Sequence, residues 1–432
     1  MFTVALLHRS LRLNDNLVLE KALAVRGNGY LLPMFVLNPQ QVVDNKYKND
    51  RFITFMLESL ARLSAALANK LYVAYGDLIT VLDDLSQVIL IDNLVLSIDY
   101  TNFAKERLLL IEQWCKAKNI NVYTCQDYVL LPIESYSAKK GSSYKVFKAF
   151  NDHAVNLLQN SNTWHPRHHN FLPYLCNIDN FPHRYDVTTI PCNNIDNITI
   201  YADYEDRRKI LATPATMLSA YLKLGLLSIR EVVYFIASNY GWQHAMIRQL
   251  LWHDYFYQAD PLPPIDHITW HNDNNIFAHW CAGTTGFPLV DAAMRQLNNT
   301  GLMHNRARMI AANFLMTICR IDWRWGEWYF ASKLLDYDPI INNANWRDNN
   351  NIGITRHAYF QMFNLNEQIK KHDKDLLYIK TWLPELSHLD NKTIINWSQE
   401  AYHTYRCYCP PIFNEQQYQT IRDSAANWLL YK

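Results

Sequence analysis

Five short apolar runs, each followed by a stretch of helix-like spacing, occupy the first 130 residues and limit the fold more than any other feature. They are Thr3–Leu7, Tyr30–Leu37, Leu71–Tyr75, Leu94–Ile98 and Asn121–Cys125. Runs of this length read as strands, and their alternation with helical segments implies a parallel sheet with helices on both faces. A Rossmann-like α/β domain with a parallel five-stranded sheet is therefore expected over 1–130. No Gly-x-Gly-x-x-Gly follows the first run, where the chain reads His8-Arg-Ser-Leu-Arg-Leu-Asn-Asp-Asn16. Nicotinamide-dinucleotide binding of the usual kind is thereby disfavoured. By residue type alone, Arg9, Arg12 and Asp15 form a charged turn that caps the next helix.

From about 150 to 200 the periodicity fades into Asn, His and Pro, as in Asn160-Ser-Asn-Thr-Trp-His-Pro-Arg-His-His-Asn170. A long interdomain linker is expected over 131–200. Beyond Tyr201 apolar residues recur at spacings of three and four, as at Leu218, Tyr221, Leu222 and Leu226. The expected second domain, 201–432, is all-α. The length of 432 residues suits two domains, since one hydrophobic core rarely organises so long a chain.

The run Val88-Ile-Leu-Ile is broken by Asp92-Asn93 before it could span a bilayer, and no basic leader precedes an apolar stretch. An intracellular protein, cytoplasmic or nuclear, without a membrane partner is expected. The 8 cysteines show no Cys-x-x-Cys pair, which suits a reducing compartment, and Cys407-x-Cys409 alone is a weak metal signal, so no metal is expected. A net charge of +1 confines any nucleic-acid surface to a local patch.

Two segments carry more specific chemistry: Thr285-Gly-Phe-Pro-Leu-Val-Asp-Ala-Ala-Met-Arg295 running on to His304-Asn-Arg-Ala-Arg-Met309, and Leu335-Asp-Tyr-Asp-Pro-Ile-Ile-Asn342 running on to Trp346. With His8–Asn16, they resemble the DNA photolyase and cryptochrome family, and in active-site residues its class I cyclobutane pyrimidine dimer photolyases. The resemblance implies an all-α FAD-binding domain behind the α/β domain. It also implies light-driven splitting of pyrimidine dimers by an electron from reduced FAD, a carbon–carbon lyase activity.

The resemblance assigns roles residue by residue. Tyr204, Thr216, Leu218 and Ser219 match the flavin phosphate segment, where hydroxyls and backbone N–H groups at a helix start favour a pyrophosphate. Without the resemblance, Thr216 and Ser219 are ordinary helix caps. Arg308 and Asp336 match an ion pair beside the isoalloxazine, Asp338 a further cofactor contact, and Asn342 an amide facing flavin N5 that can accept a hydrogen bond. Trp346, Trp323 and Trp270 match an electron-hopping chain, whereas Trp280, Trp325 and Trp328 read as core or surface aromatics.

Substrate residues follow the same logic. A crosslinked base pair must be extruded and held between flat apolar walls and polar groups. Trp252 matches one wall, Asn305 and Met309 the polar and apolar contacts of cyclobutane-dimer enzymes, and Gln249 the position of a Glu in those enzymes. Asp348 stands where a second aromatic wall is expected. (6-4) photolyases carry histidines in place of Asn305 and Met309, so (6-4) repair is the less favoured alternative; a cryptochrome-like photoreceptor without repair is the other. Arg208, Arg306 and Arg347 are expected to contact DNA phosphates, with Lys139, Lys140, Lys145 and Lys148 forming a separate basic run. Ultraviolet-damaged DNA is the expected partner, with no obligate protein partner and a monomeric state. Glu106 matches a folate contact, but the connection from Trp252 to Trp270 is shorter than in folate-binding relatives, leaving a folate or deazaflavin antenna open.

Overall fold

A computed structural model describes residues 1–137, 143–161, 164–176, 180–190, 202–213, 216, 218–259, 268–348 and 362–430, without the side chains of 425–430. Lys139 and Lys140 of the expected basic run lie outside these residues. Internal contacts divide the chain into two compact units. One comprises Met1–Ala202 with Thr216–Ala259, and the other Asp203–Ala215 with Asp260–Lys432.

The first unit is built on strands β1 (Phe2–Leu7), β2 (Tyr30–Leu37), β3 (Tyr72–Tyr75), β4 (Ile91–Ser97) and β5 (Asn121–Cys125). They form one five-stranded sheet in the order β3-β2-β1-β4-β5, every pair parallel. Side chains alternate between two cores, as a period of two requires. Ala5, Leu7, Leu31, Phe35 and Val95 face helices α1 (Leu17–Val25) and α2 (Asp50–Ala66). Val4, Leu6, Leu32, Met34 and Leu94 face α3 (Leu78–Val88) and α4 (Asn102–Lys118). Pro33 lies within β2 opposite Ala5 of β1, one residue before β3 begins pairing at Met34.

Within the expected linker, Phe147–Asn160 is an α-helix (α5) whose Phe147, Phe150, Ala154 and Leu158 are buried. Those positions step by three, four and four, a pattern diluted by the polar residues between them. The first unit also holds α6 (Leu218–Leu224), α7 (Ile229–Tyr240) and α8 (Ala245–Gln258).

Their attachment is ionic as well as apolar. Arg230, second in α7, donates from Nε to Asp15 Oδ2 at 2.8 Å and from Nη2 to Asp127 Oδ1 at 2.8 Å, while Arg12 Nη2 donates to Asp127 Oδ1 at 2.8 Å. Ser10 hydrogen-bonds Asp127 and Ser228 hydrogen-bonds Asp15. All four charged side chains are buried. Burial alone would raise Asp127, but Arg12 and Arg230 outweigh it and hold the carboxyl below its usual range. The charged turn expected to cap α1 at Arg9, Arg12 and Asp15 leaves the capping to Asn16, which accepts from Val18 N and Leu19 N, while Arg9 pairs with Asp99, Arg12 with Asp127 and Asp15 with Arg230.

The second unit is helical. Its core gathers Trp280, Phe287, Met294, Phe314, Phe330, Trp346 and Trp397. Its main helices are α9 (Asn274–Ala282), α10 (Pro288–Thr300), α11 (Asn305–Asn313), α12 (Trp323–Ala331) and α13 (Pro339–Asp348).

Candidate functional site

The turn before α10 is organised by Asp291. Its buried carboxylate accepts from Thr285 N at 2.8 Å, Thr285 Oγ1 at 2.6 Å and Gly286 N at 2.9 Å. Gly286 has φ of +76° and lies against Pro410 and Pro411, where a Cβ would collide with backbone, so glycine is required there. At the other end, Gly301 closes α10 in the left-handed region and its carbonyl takes Leu335 N at 2.8 Å. That bond brings the next residue, Asp336, to the side of α11.

Arg308 Nη2 donates to Asp336 Oδ2 at 2.7 Å, and its Nε is fixed on Met303 O at 2.9 Å. The two side chains are 25% and 6% exposed, so the pair is largely desolvated. A pair of this kind is weak as a stabiliser and stronger as a fixed local field for a bound cofactor. Asp338 accepts at Oδ1 from Ile340 N at 3.1 Å and Ile341 N at 3.2 Å, capping the helix that carries Asn342 and Trp346.

Asn342 shows why its side chain is oriented. Its Nδ2 donates to Glu327 Oε1 at 3.1 Å, and Tyr337 donates its hydroxyl to the same oxygen at 2.9 Å. Glu327 is buried. A carboxylate can only accept, so it selects the amide nitrogen and turns the carbonyl oxygen the other way. Glu327 was missed by sequence reading: in Trp323-Arg-Trp-Gly-Glu-Trp328 it looks like an ordinary helix charge. Its sole signal is a carboxylate on a face otherwise apolar.

Trp346 and Trp323 are buried in one core, with Trp270 partly buried against it. The Trp346 indole lies so close to α12 that a Cβ on Gly326 would be 2.2 Å from it. Trp346 also touches Phe330 at 5.0 Å and Trp280 at 6.3 Å between ring centroids. Trp280 is fully buried, donating from Nε1 to Ala311 O at 3.0 Å, while Trp325 is partly buried and Trp328 exposed.

Asn305 and Met309 are one turn apart on α11, Asn305 exposed and Met309 partly buried. Beside them lies a basic group. Leu211 N donates to His372 O at 2.9 Å and His372 Nδ1 meets Lys209 O at 2.7 Å, which ties the segment carrying Arg208 down. Burial first, and then repulsion from Arg208, lowers the Arg306 pKa. His304 caps α11 by accepting from Arg306 N at 3.1 Å. Burial, then Arg306, His372, Arg308 and Arg208, push its imidazole down to about 4, so it is neutral at pH 7. Arg347, expected to contact DNA phosphate, is buried near the end of α13, and burial lowers its pKa. Tyr204 opens a short helix, Tyr204–Arg207, and its hydroxyl is raised by burial.

The remaining expected residues lie in the first unit. Thr216 is partly buried, Leu218 is buried and Ser219 is exposed in the first turn of α6. Gln249 and Trp252, both partly buried, are three residues apart on α8 and share a face. Asp254 anchors that helix, its Oδ2 accepting from Leu130 N at 2.9 Å and Tyr136 Oη at 2.7 Å.

Known proteins resemble this chain over most of its length. Residues 3–167 match the family model described as DNA photolyase, and residues 235–425 the model described as FAD binding domain of DNA photolyase. The deoxyribodipyrimidine photo-lyase of Vibrio cholerae serotype O1 is 30% identical over 422 residues, covering 88% of this chain and 89% of the relative. That of Escherichia coli K12 is 28% identical over 444 residues, covering 91% and 92%. Among solved structures, the archaeal photolyase of Sulfolobus tokodaii, described with two FAD molecules, superposes with a TM-score of 0.81 at 28% identity, covering 99% of this chain and 100% of that one. A Synechocystis cryptochrome shares the fold with a TM-score of 0.83 at 23% identity, covering 98% of each chain.

Proposed function

The chain belongs to the DNA photolyase and cryptochrome family, and from that premise we propose that it is a deoxyribodipyrimidine photo-lyase that splits cyclobutane pyrimidine dimers in ultraviolet-damaged DNA. The observation that carries the reading is that Arg308 and Asp336 form a largely desolvated ion pair while Asn342 is held through its amide nitrogen by the buried Glu327. This donor and acceptor set fits FAD. When bound and reduced, FAD supplies the light-excited electron that opens the dimer.

The protein's own part is geometric and electrostatic. Arg308 and Asp336 set a fixed field, and Asn342 offers an acceptor to an N–H of the reduced ring. Asp338 contributes by holding the start of α13, and Tyr204, Thr216, Leu218 and Ser219 bind the cofactor's phosphate side. Trp346, Trp323 and Trp270 relay electrons inward from the surface. Trp252 and Met309 offer apolar surface to the extruded bases, while Asn305 and Gln249 hydrogen-bond their edges. Arg208 and Arg306 hold flanking phosphates. Asn305 and Met309 where (6-4) enzymes have histidines favour the cyclobutane lesion, because proton delivery to a (6-4) product needs an imidazolium.

Gln249 and Asp348 support a second reading, a photoreceptor that takes up electrons through the same tryptophans without repairing DNA. One experiment tests the first against the second. The FAD-loaded protein is illuminated with dithiothreitol, given a dimer-containing oligonucleotide and exposed to blue light. Restored thymine absorbance is the expected result; flavin photoreduction with no restored thymine would support the photoreceptor.

A further inference from the structure

The phenyl ring of Phe147 lies 3.7 Å from the indole of Trp252 between centroids, with the two planes 6° apart. This is full face-to-face stacking, so one face of Trp252 is covered within its own unit. Two more rings of α8 steady the indole, Tyr255 at 5.3 Å edge-on and Phe256 at 5.5 Å. Trp252 nevertheless remains partly exposed. An indole with one face occupied and surface left over is a platform rather than a core filler.

Phe147 is itself immobilised. It is buried, meets Tyr255 edge-on at 5.5 Å, and lies one turn from Phe150, which packs on Tyr255 at 5.4 Å and on Tyr136 at 4.9 Å. Tyr136 is in turn tied to the buried Asp254 at 2.7 Å. Such a ring cannot act as a plug that leaves when substrate arrives, because leaving would dismantle the contact of α5 with α8. Arg248, exposed on α8, has its guanidinium carbon 5.8 Å from the Phe147 ring.

We propose that Phe147 is a positioning residue for lesion recognition, backing the Trp252 indole so that its open face is already set to stack on an extruded pyrimidine. This rests on the reading of Trp252 as a wall of the lesion site. Its physical content is preorganisation: an indole that must be frozen on binding costs rotamer freedom, and one already clamped does not.

The test is a double-mutant cycle on the full-length, FAD-loaded protein in the dark, measuring Kd for a dimer-containing duplex and for the same duplex undamaged. Phe147→Leu keeps apolar bulk and removes the stack; it should weaken dimer binding about three- to ten-fold and leave undamaged binding within about two-fold. In a Trp252→Ala background the same substitution should change nothing, because Phe147 acts only through the indole. An undiminished effect in that background overturns the proposal and leaves Trp252 as a wall. Unchanged dimer binding by Trp252→Ala alone overturns the wall itself, and Phe147 with it. Phe147→Met, of similar volume, replaces Phe147→Leu if the latter melts early.

Discussion

Glu327 decides which end of Asn342 faces away from it, and the consequence is measurable. Glu327→Gln removes an acceptor-only partner and presents a group that can also donate, so the amide is free to reverse. Loss of one charge-assisted hydrogen bond is worth about 1.5–3 kcal/mol. Reduced flavin in that variant should therefore reoxidise in air at least several-fold faster than in the parent, as followed by absorbance in the dark; an unaltered rate would separate Glu327 from the flavin. His304 makes a different prediction. Its pKa is depressed on folding to about 4, so its contribution to stability is whole above about pH 6.5 and is lost as pH falls towards 4, to a limit of about 3 kcal/mol. Asp373, pushed up to about 6 chiefly by burial, has the opposite sign, contributing at low pH and fading as pH rises through 6. Comparing melting of the parent and His304→Asn at pH 7 and pH 4.5 isolates the imidazole, since Asn keeps the helix cap. The variant should lose less on acidification.

Helix α12 runs past Trp346 with no room for a side chain at Gly326. An added methyl would lie 2.2 Å from the indole and 2.6 Å from Leu315 Cδ2. The helix propensity gained by Gly326→Ala, about 1 kcal/mol, is outweighed by overpacking of about 1–3 kcal/mol or more. A melting temperature several degrees below that of the parent is expected, and a rise would show that the indole moves aside without cost. This contact also marks the limit of what sequence can disclose. The five strands were legible because each is a compact apolar run, and Arg308–Asp336 because its motif is specific. Helix α5 was hidden, since only Phe147, Phe150, Ala154 and Leu158 keep its period among Asn, Asp, Lys and His. Glu327, Gly326 and Phe147 act through partners supplied by other helices, and no local pattern announces such partners. The burial of Arg347 was illegible for the same reason: an arginine at a helix end looks exposed until its surroundings are known.

At the scale of the molecule, the buried quartet of Arg12, Asp15, Asp127 and Arg230 explains why residues 216–259 count with the sheet. Arg230 reaches residues 215 and 103 positions away in sequence. Removing one member leaves a charge buried without compensation, which costs about 3–5 kcal/mol. Arg230→Met should therefore lower stability by that order in denaturant titrations, and a change below 1 kcal/mol would mean water reaches the carboxylates. Because Asp127 is held below its usual range, its stabilisation is present above the unfolded carboxylate value near 4 and disappears with further acidification. The same arrangement bears on how the polypeptide matures as it leaves the ribosome. Every strand has emerged by residue 125, yet the Asp15 carboxylate then lacks its guanidinium and Asp127 has Arg12 alone, and the cation that completes both pairs arrives about a hundred residues later. A fragment cut at residue 200 should accordingly behave as a loosened, aggregation-prone body, and the nascent sheet has reason to wait for the helix that completes its neutralisation.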